Sequence, residues 1–175
     1  MFSEALSPSR VKRRRFRLGA VVFVSALVGF AIWLHTATTS ADFSLRDGAG
    51  ITRALVYYAV EHGGVLPKGQ QELLASGVCA QTNDGSWIVP LRMGMYPFDS
   101  NDPIGRISHF ERFDLAWGVC GSEVDERGFV ATRARFILQP AVGPDYAGIR
   151  LACQLASANV ARALLSLRGE STTRE

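Results

Sequence analysis

The chain has 175 residues, of which 19 are basic and 16 acidic, for a formal net charge of +3. That length accommodates one domain with tails or an anchor. Six basic residues lie between Arg10 and Arg17, and Glu4 is the only acidic residue before them, so residues 18–175 carry 13 basic against 15 acidic side chains. A nucleic-acid-binding domain needs its basic excess on the folded part, where it meets phosphates. The charge distribution therefore argues against nucleic acid as a partner.

An uncharged apolar run, Leu18 to Leu34, follows the basic residues and contains only Ser25 as a polar side chain. Seventeen helical residues span about 25 Å, slightly less than a hydrocarbon core of about 30 Å, and the uncharged residues up to Ala41 can complete the crossing. We predict a transmembrane anchor at residues 18–35. Its representative side chains are Leu18, Val22, Phe23, Leu27, Phe30, Trp33 and Leu34.

The basic cluster indicates the orientation of this anchor. By the positive-inside rule, residues 1–17 form a cytoplasmic tail and the rest of the chain is extracytoplasmic, with the anchor in the inner (cytoplasmic) membrane. The lipid bilayer is thus one predicted partner. The topology determinants are Lys12, Arg13, Arg14, Arg15 and Arg17.

Two features leave a cleaved export signal open as an alternative. Thr39-Ser40-Ala41 forms a small-residue site before Asp42, and Arg13-Arg14-Arg15-Phe16 fits the core of a twin-arginine signal. A signal peptide has an apolar core of about 7–15 residues, and the run here is longer, which favours a retained anchor.

Residues 36–48 are polar, and we predict a short stalk or the frayed end of the anchor helix. An extracytoplasmic domain then occupies residues 49–168 and begins with an amphipathic helix that Ser44 or Asp47 caps and Gly63 ends. Arg53 is expected away from the apolar stripe. That stripe comprises Ile51, Leu55 and Tyr58, and His62 falls at the next position of the same spacing.

The middle of the domain predicts short elements. Gln70 to Ser76 reads as a short helix ended by Gly77, Trp87 to Val89 as a strand, and residues 93–107 as a loop rich in Pro, Asp and Asn. Alternating apolar residues predict strands over 113–119 and 130–138. The charged segment 122–128 would join these two strands as an antiparallel hairpin.

A closing helix is predicted after Pro144-Asp145, with Gly169 at its end and a disordered tail over 169–175. Its apolar stripe would cover the sheet and comprises Ile149, Cys153, Ala156, Val160, Leu164 and Leu167. The predicted fold class is therefore α+β: an N-terminal transmembrane helix, an amphipathic helix, a small antiparallel sheet and a C-terminal helix.

Three cysteines lie in the predicted extracytoplasmic part. A disulfide between Cys79 and Cys120 would close a loop of roughly 40 residues and stabilise the fold by around 3–4 kcal/mol in the chain-entropy model. Cys153 would then be a small buried hydrophobe. Other pairings, or three reduced thiols, remain open because the count is odd.

No motif predicts catalysis, a cofactor or a metal centre. His62 and His109 lie in no recognisable nucleophile signature, and together with the cysteines they lack paired zinc-ligand spacing. Asp99-Ser100-Asn101-Asp102 offers oxygens to calcium, but it lacks the glycine and glutamate of an EF-hand, so a turn capped by its own side chains is favoured.

The segment Ile51 to Pro67, followed by Leu73 and Gly77, resembles type IV pilins and the pseudopilins of type II secretion. In that family an N-terminal membrane helix continues into an amphipathic half, on which a short helix and an antiparallel sheet pack. The resemblance implies that Ala54, Leu55 and Tyr58 form the helix face under the sheet. Gly63 would then be the helix stop and Pro67 the loop proline.

The chain departs from the family at its leader. The apolar segment holds no glutamate, Gly19 is followed by Ala20, and Leu66 stands where the family usually has tyrosine. The resemblance implies a non-enzymatic envelope protein with protein partners, such as an accessory of a secretion or pilus apparatus. The alternative is a membrane-anchored scaffold or binding module of another envelope complex.

Overall fold

The computed structural model describes residues 8–90, 104–143, 146 and 148–172, with side chains between residues 23 and 169 except that of residue 104. The chain forms two compact units, Met1–Thr39 and Ser40–Glu175. The fold is α+β, with a long apolar N-terminal helix, small antiparallel sheets and a C-terminal helix. This confirms the predicted fold class at that level.

Helix α1 spans Pro8–Glu61, a total of 54 residues. The predicted stalk over 36–48 is therefore wrong, because these residues are helical. The hydroxyls of Thr36, Thr38 and Thr39 donate to carbonyl oxygens three or four residues earlier, at 2.8–3.0 Å. Polar side chains that bond back to their own helix do not interrupt it. Ser44 and Asp47, predicted as caps, are buried positions within α1.

Helix α1 ends as predicted, beside Gly63. Gly63 and Gly64 have φ angles of 63° and 81°, in the left-handed region that glycine adopts without steric penalty. The N–H of Gly64 donates to Ala59 O at 2.8 Å, which satisfies a carbonyl of the last turn. Helix α2, Gln70–Ala75, follows and confirms the predicted short helix. Its Leu73 side chain is buried in the core.

A three-stranded antiparallel sheet comes next, in the order β1 (Ala80–Gln81), β2 (Trp87–Pro90) and β3 (Ile104–Ile107). Strand β2 confirms the strand predicted at Trp87, which is buried. The predicted loop 93–107 is wrong over its last four residues, since Ile104–Ile107 pairs along the whole of β2. Residues 93–103 of that loop lie outside the described part of the chain.

Two further strand pairs replace the predicted hairpin. Strand β4 (Phe113–Leu115) pairs with β7 (Leu138–Pro140), while β5 (Phe129–Val130) pairs with β6 (Arg135–Phe136). The predicted strand 130–138 is interrupted by a 3₁₀ turn at Ala131–Arg133, after which Ala134 is left-handed with φ 49°. Residues 131–134 are all exposed. Their apolar side chains are not packed against the core, so no burial stabilises a continuous strand there.

Helix α3, Ile149–Thr172, closes the fold. Its predicted stripe is confirmed, because five of the six residues are buried and Leu167 is half-buried. The predicted helix end at Gly169 is wrong by three residues. The contacts between α1 and α3 follow the same order along the two helices, since Gly148 adjoins Ala41 and Ala152 adjoins Gly48. The second half of α1 and helix α3 therefore lie side by side and run in the same direction.

The core centres on α1 rather than on a sheet face. All nine residues from 51 to 59 are buried, including Arg53 at 4% exposure. The prediction of one apolar stripe with Arg53 outside it is therefore wrong. A helix that is buried on every side is a core helix, with sheet, α3 and connecting segments around it.

Candidate functional site

The N-terminal unit carries the surface that sequence analysis predicted as an anchor. Eight large hydrophobic side chains between Phe23 and Leu34 are 47–64% exposed, and the rings of Phe30 and Trp33 stack at 5.8 Å. Within the described residues, one helix is long and apolar enough to cross a membrane, and none of its most apolar window is buried. Leu18, Val22 and the five topology determinants lie in α1, but their side chains are outside the described part.

Asp47 connects α1 to the end of the first sheet. Its carboxylate accepts hydrogen bonds from the backbone N–H groups of Ser108, at 2.7 Å, and His109, at 3.1 Å. Only 1% of Asp47 is exposed, and this burial raises the pKa of its carboxyl above the ordinary value. The two N–H groups and the nearby charges of His109 and Arg112 act on that pKa in the opposite direction.

Two glycines let the same region of α1 and β3 approach each other. A Cβ on Gly50 would lie 2.7 Å from the side chain of Ile107, and one on Gly105 would lie 3.0 Å from the guanidinium of Arg53. Neither distance accommodates a methyl group without movement. The absence of a side chain at Gly50 therefore determines how closely α1 packs on the sheet.

The residues that carry the pilin resemblance are near the end of α1. Ala54, Leu55 and Tyr58 are buried, Gly63 is exposed with a left-handed backbone, and Pro67 is buried. The carbonyl of Pro67 accepts from the N–H of Gly118 at 2.7 Å. The neighbouring N–H of Leu66 donates to Val119 O at 2.8 Å, so this connection is held to the segment that follows β4.

Tyr58 joins α1 to α2 through a hydrogen bond. Its hydroxyl donates to Glu72 Oε1 at 2.7 Å, and its ring stacks on His62 with centroids 3.8 Å apart. Burial, reinforced by the Glu72 carboxylate, raises the pKa of Tyr58 to about 12. The N–H of Lys68, and then the Tyr58 hydroxyl, lower the pKa of Glu72. Tyr58 is therefore a neutral hydrogen-bond donor at physiological pH.

The predicted disulfide between Cys79 and Cys120 is not formed, since all three cysteines are free thiols. The thiols of Cys79 and Cys120 have different partners. Cys79 is buried and donates to Leu73 O, whereas Cys120 donates to Glu123 Oε2 at 3.3 Å. Burial raises the pKa of Cys79 to about 11 and that of Cys153 to about 12. Both buried thiols are thus protonated and poorly nucleophilic near neutral pH.

Two of the three histidines, His62 and His109, have side-chain partners within the folded unit. His62 Nδ1 is 2.8 Å from Tyr58 O, a carbonyl in the last turn of α1, and His109 Nδ1 is 3.3 Å from Glu111 Oε1. Among the described residues, no group of three His, Cys, Asp or Glu side chains is arranged to hold a metal ion. The Asp99–Asp102 turn lies outside those residues.

An open cleft of about 530 Å³ lies between the β7–α3 connection and the first turns of α3. The buried side chains of Leu138 and Cys153 contribute apolar surface, and Gln139, Arg150 and Gln154 provide polar groups around it. Such a cleft suits a small ligand or a partner's side chain with an apolar body and a polar end.

Sequence reasoning missed the roles of Asp47 and Gly50. A signal was present, because Gly48 and Gly50 stand just before the apolar helical spacing that begins at Ile51, and a glycine kept in a helix usually has a packing reason. The cleft had no such signal, since residues from two separate segments line it.

Comparison with protein-family models, with curated proteins and with solved structures finds no match to this chain. The assignment of a function therefore depends on the geometry described above.

Proposed function

We propose that this chain is a non-enzymatic, single-pass envelope protein with a pilin-like domain. Helix α1 holds it in the inner membrane with its N-terminus in the cytoplasm, and the unit from Ser40 onward is extracytoplasmic. Its role would be that of an accessory subunit of a secretion or pilus apparatus.

The observation that supports the anchor is a continuous exposed apolar surface. The large apolar side chains from Phe23 to Leu34 are exposed, and no charged residue lies among them. Exposed apolar area is unfavourable in water by roughly 25 cal/mol per Å², and lipid removes that penalty. Isolated hydrophobic residues on a surface need no explanation, but a continuous helical surface of eight does.

The pilin-like assignment is supported by the same helix. Stems in that family require a helix that continues from the apolar segment into the globular domain. Helix α1 spans Pro8–Glu61, and the stalk predicted at residues 36–48 does not interrupt it. The buried residues Ala54, Leu55 and Tyr58, the helix stop at Gly63 and the following helix α2 agree with the pattern of the resemblance.

A pair of charged substitutions tests the anchor. Leu27→Asp with Phe30→Asp should lower membrane insertion by about 6 kcal/mol, at roughly 3 kcal/mol for each carboxylate near the helix centre. The measurement is the fraction of full-length protein that stays in the membrane pellet after an alkaline wash. We expect the doubly substituted chain in the supernatant and the parent chain in the pellet.

The matched control is Val65→Asp with Ala75→Asp, which adds the same charge at two exposed positions of the folded unit. This variant should stay in the pellet. Equal release of both variants, or equal retention of both, would contradict an anchor at residues 18–35.

Processing of the N-terminus tests the pilin-like role. Intact mass and N-terminal sequencing of the membrane-extracted protein should give either an uncut chain or cleavage beside Gly19. Cleavage beside Ala41 would yield an unanchored domain and would exclude the proposed function.

The cleft favours a second candidate, an anchored binding module of another envelope complex. Gln154→Arg introduces a larger charged side chain at its rim, so a complex formed through the cleft should be lost on native electrophoresis of membrane extracts. Gln70→Arg, at an exposed position of α2, is the control. A pilin-like assembly should survive both substitutions.

A further inference from the structure

The cleft between the β7–α3 connection and the first turns of α3 lies wholly within the unit Ser40–Glu175. Its volume of about 530 Å³ is within the range of about 300–1,000 Å³ that is usual for ligand sites. Among the described residues that line it, Arg150 is the one charged side chain. The apolar side chains of its wall include Phe136, Leu138, Pro140 and Val142.

One edge of strand β7 faces this cleft. The N–H of Ala141 donates to Arg112 O at 2.8 Å, so Ala141 turns its backbone groups to the side of β4. Leu138 turns its groups the other way, because its N–H donates to Ser157 Oγ of α3 at 2.9 Å and its carbonyl accepts from the same hydroxyl at 3.2 Å. Backbone direction alternates along a strand. The carbonyl of Pro140 therefore lies on the α3 side of β7, at the cleft.

The polar groups at the cleft match those of a peptide backbone. Proline has no N–H, and no group in the described part of the chain donates to the Pro140 carbonyl, which is thus an open acceptor. The side-chain amides of Gln139 and Gln154 each provide both donors and an acceptor. An extended peptide offers N–H and C=O groups to these partners, whereas an alkyl chain would leave all of them unpaired.

The charge at the cleft favours a ligand with a single negative charge. A guanidinium forms paired hydrogen bonds with a carboxylate or a phosphate. One guanidinium balances the charge of a carboxylate, but a phosphate monoester carries about −1.5 to −2 near neutral pH. The five N–H donors of Arg150 allow it to bind a carboxylate in addition to its contacts within the chain. A carboxylate is therefore the better match.

We propose that the cleft binds the C-terminal end of an extended polypeptide, with the terminal carboxylate on Arg150 and apolar side chains against the apolar wall. A chain end joins a carboxylate to an adjacent backbone N–H, and Arg150 and the Pro140 carbonyl are partners for these two groups. The inference deepens the second candidate function and rests on it, since it names the ligand of that binding module.

Ligand-detected NMR with the full chain in lipid nanodiscs tests the proposal, with empty nanodiscs as the blank. The probes are the tripeptides N-acetyl-Gly-Ala-Leu, N-acetyl-Gly-Ala-Val and N-acetyl-Gly-Ala-Phe, each as the free acid and as the C-terminal amide. We expect the free acids to bind about three- to fivefold more tightly than the amides. That ratio is the size expected for one ion pair with an exposed arginine.

Two matched variants assign the preference to the cleft. Arg150→Gln should lower the affinity for the free acids to that for the amides. Arg162→Gln removes an exposed arginine from the same helix, about 18 Å further along its axis and outside the cleft, and should leave the preference unchanged. Near-UV circular dichroism shows whether both variants keep the fold.

Several outcomes would overturn the inference. Equal affinity of the parent chain for free acids and amides would exclude the carboxylate site but leave a cleft that binds peptides. A preference that survives Arg150→Gln would place the carboxylate elsewhere. An amidated peptide with an internal glutamate that binds as tightly as the free acids would indicate an acidic side chain. If no peptide binds, the inference fails, and native electrophoresis of Gln154→Arg decides separately whether the cleft joins another complex.

Discussion

Helix α1 presents apolar side chains in two regions, but residues 23–34 expose them whereas residues 51–59 are buried on every side. The exposed region contains no charged residue, and the buried one contains Arg53. Hydrophobicity along the sequence therefore does not by itself decide which region the protein covers. The buried region has strands, α3 and connections around it, and the exposed region is the part for which we propose lipid as the environment.

The largest expected difference comes from truncating a leucine in each region. Leu55 is fully buried, so Leu55→Ala should lower the free energy of unfolding by about 2–5 kcal/mol through lost burial and a residual cavity. Leu27 is 52% exposed, and Leu27→Ala should change it by less than about 0.5 kcal/mol. Urea unfolding of the full chain in detergent, followed by near-UV circular dichroism, measures both. Equal losses would mean that the two regions are equally packed.

Glycine substitutions give the next largest difference. Gly50→Ala should destabilise the fold by about 2 kcal/mol, because its new methyl group would meet the side chain of Ile107 and force overpacking. A Cβ on Gly29 meets nothing within 4 Å, so Gly29→Ala should be neutral in the same unfolding experiment. A neutral result for Gly50→Ala would show that α1 and β3 are less tightly packed than described.

Asp47 supplies a pH-dependent comparison with Asp42, an exposed residue of the same helix. Asp47→Asn should lower the free energy of unfolding by roughly 1–2 kcal/mol at acid pH, because the amide nitrogen cannot accept from the second N–H group, whereas the hydroxyl oxygen of the protonated carboxyl still can. Asp42→Asn should have little effect, because its ion pair with Arg46 is exposed.

The sign of the pH dependence follows from the raised pKa of Asp47. Since that pKa in the folded state exceeds the ordinary value of 3.8, protonation favours folding. The stabilisation is complete below pH 3.8 and is lost as the pH rises through the raised pKa. The difference in stability between the parent chain and Asp47→Asn should therefore shrink as the pH rises through that range. Urea titrations at several pH values measure it, and a widening difference would refute this account of Asp47.

The smallest expected effect concerns hydroxyl groups. Tyr58→Phe removes the hydrogen bond to Glu72 and should lower the free energy of unfolding by about 0.5–1.5 kcal/mol. Thr36→Val removes a hydroxyl that bonds only to carbonyls of its own helix, so no change is expected. A loss for Thr36→Val as large as that for Tyr58→Phe would mean that residues around 36 take part in the cooperative fold.

Much of the local structure was predictable because it follows from short-range chemistry. Consecutive glycines after Glu61 end α1, the apolar spacing from Ile149 to Leu164 predicts the buried face of α3, and Trp87 marks a strand. The hairpin prediction was wrong because alternation within 130–138 does not reveal the 3₁₀ turn at Ala131–Arg133, so the two predicted strands pair antiparallel only where Leu115 meets Leu138. The stalk prediction was wrong because threonines around 36–39 can bond within a helix.

The long uncharged apolar segment, the end of α1 beside Gly63 and the apolar face of α3 follow from the sequence alone, since each depends on residues within a few turns of one another. Long-range packing, by contrast, brings Asp47 to the N–H groups of Ser108 and His109, buries Arg53 and leaves the three thiols unpaired. Those features join segments that are distant in the sequence. Their energies depend on burial and on the direction of individual bonds, which periodicity does not specify.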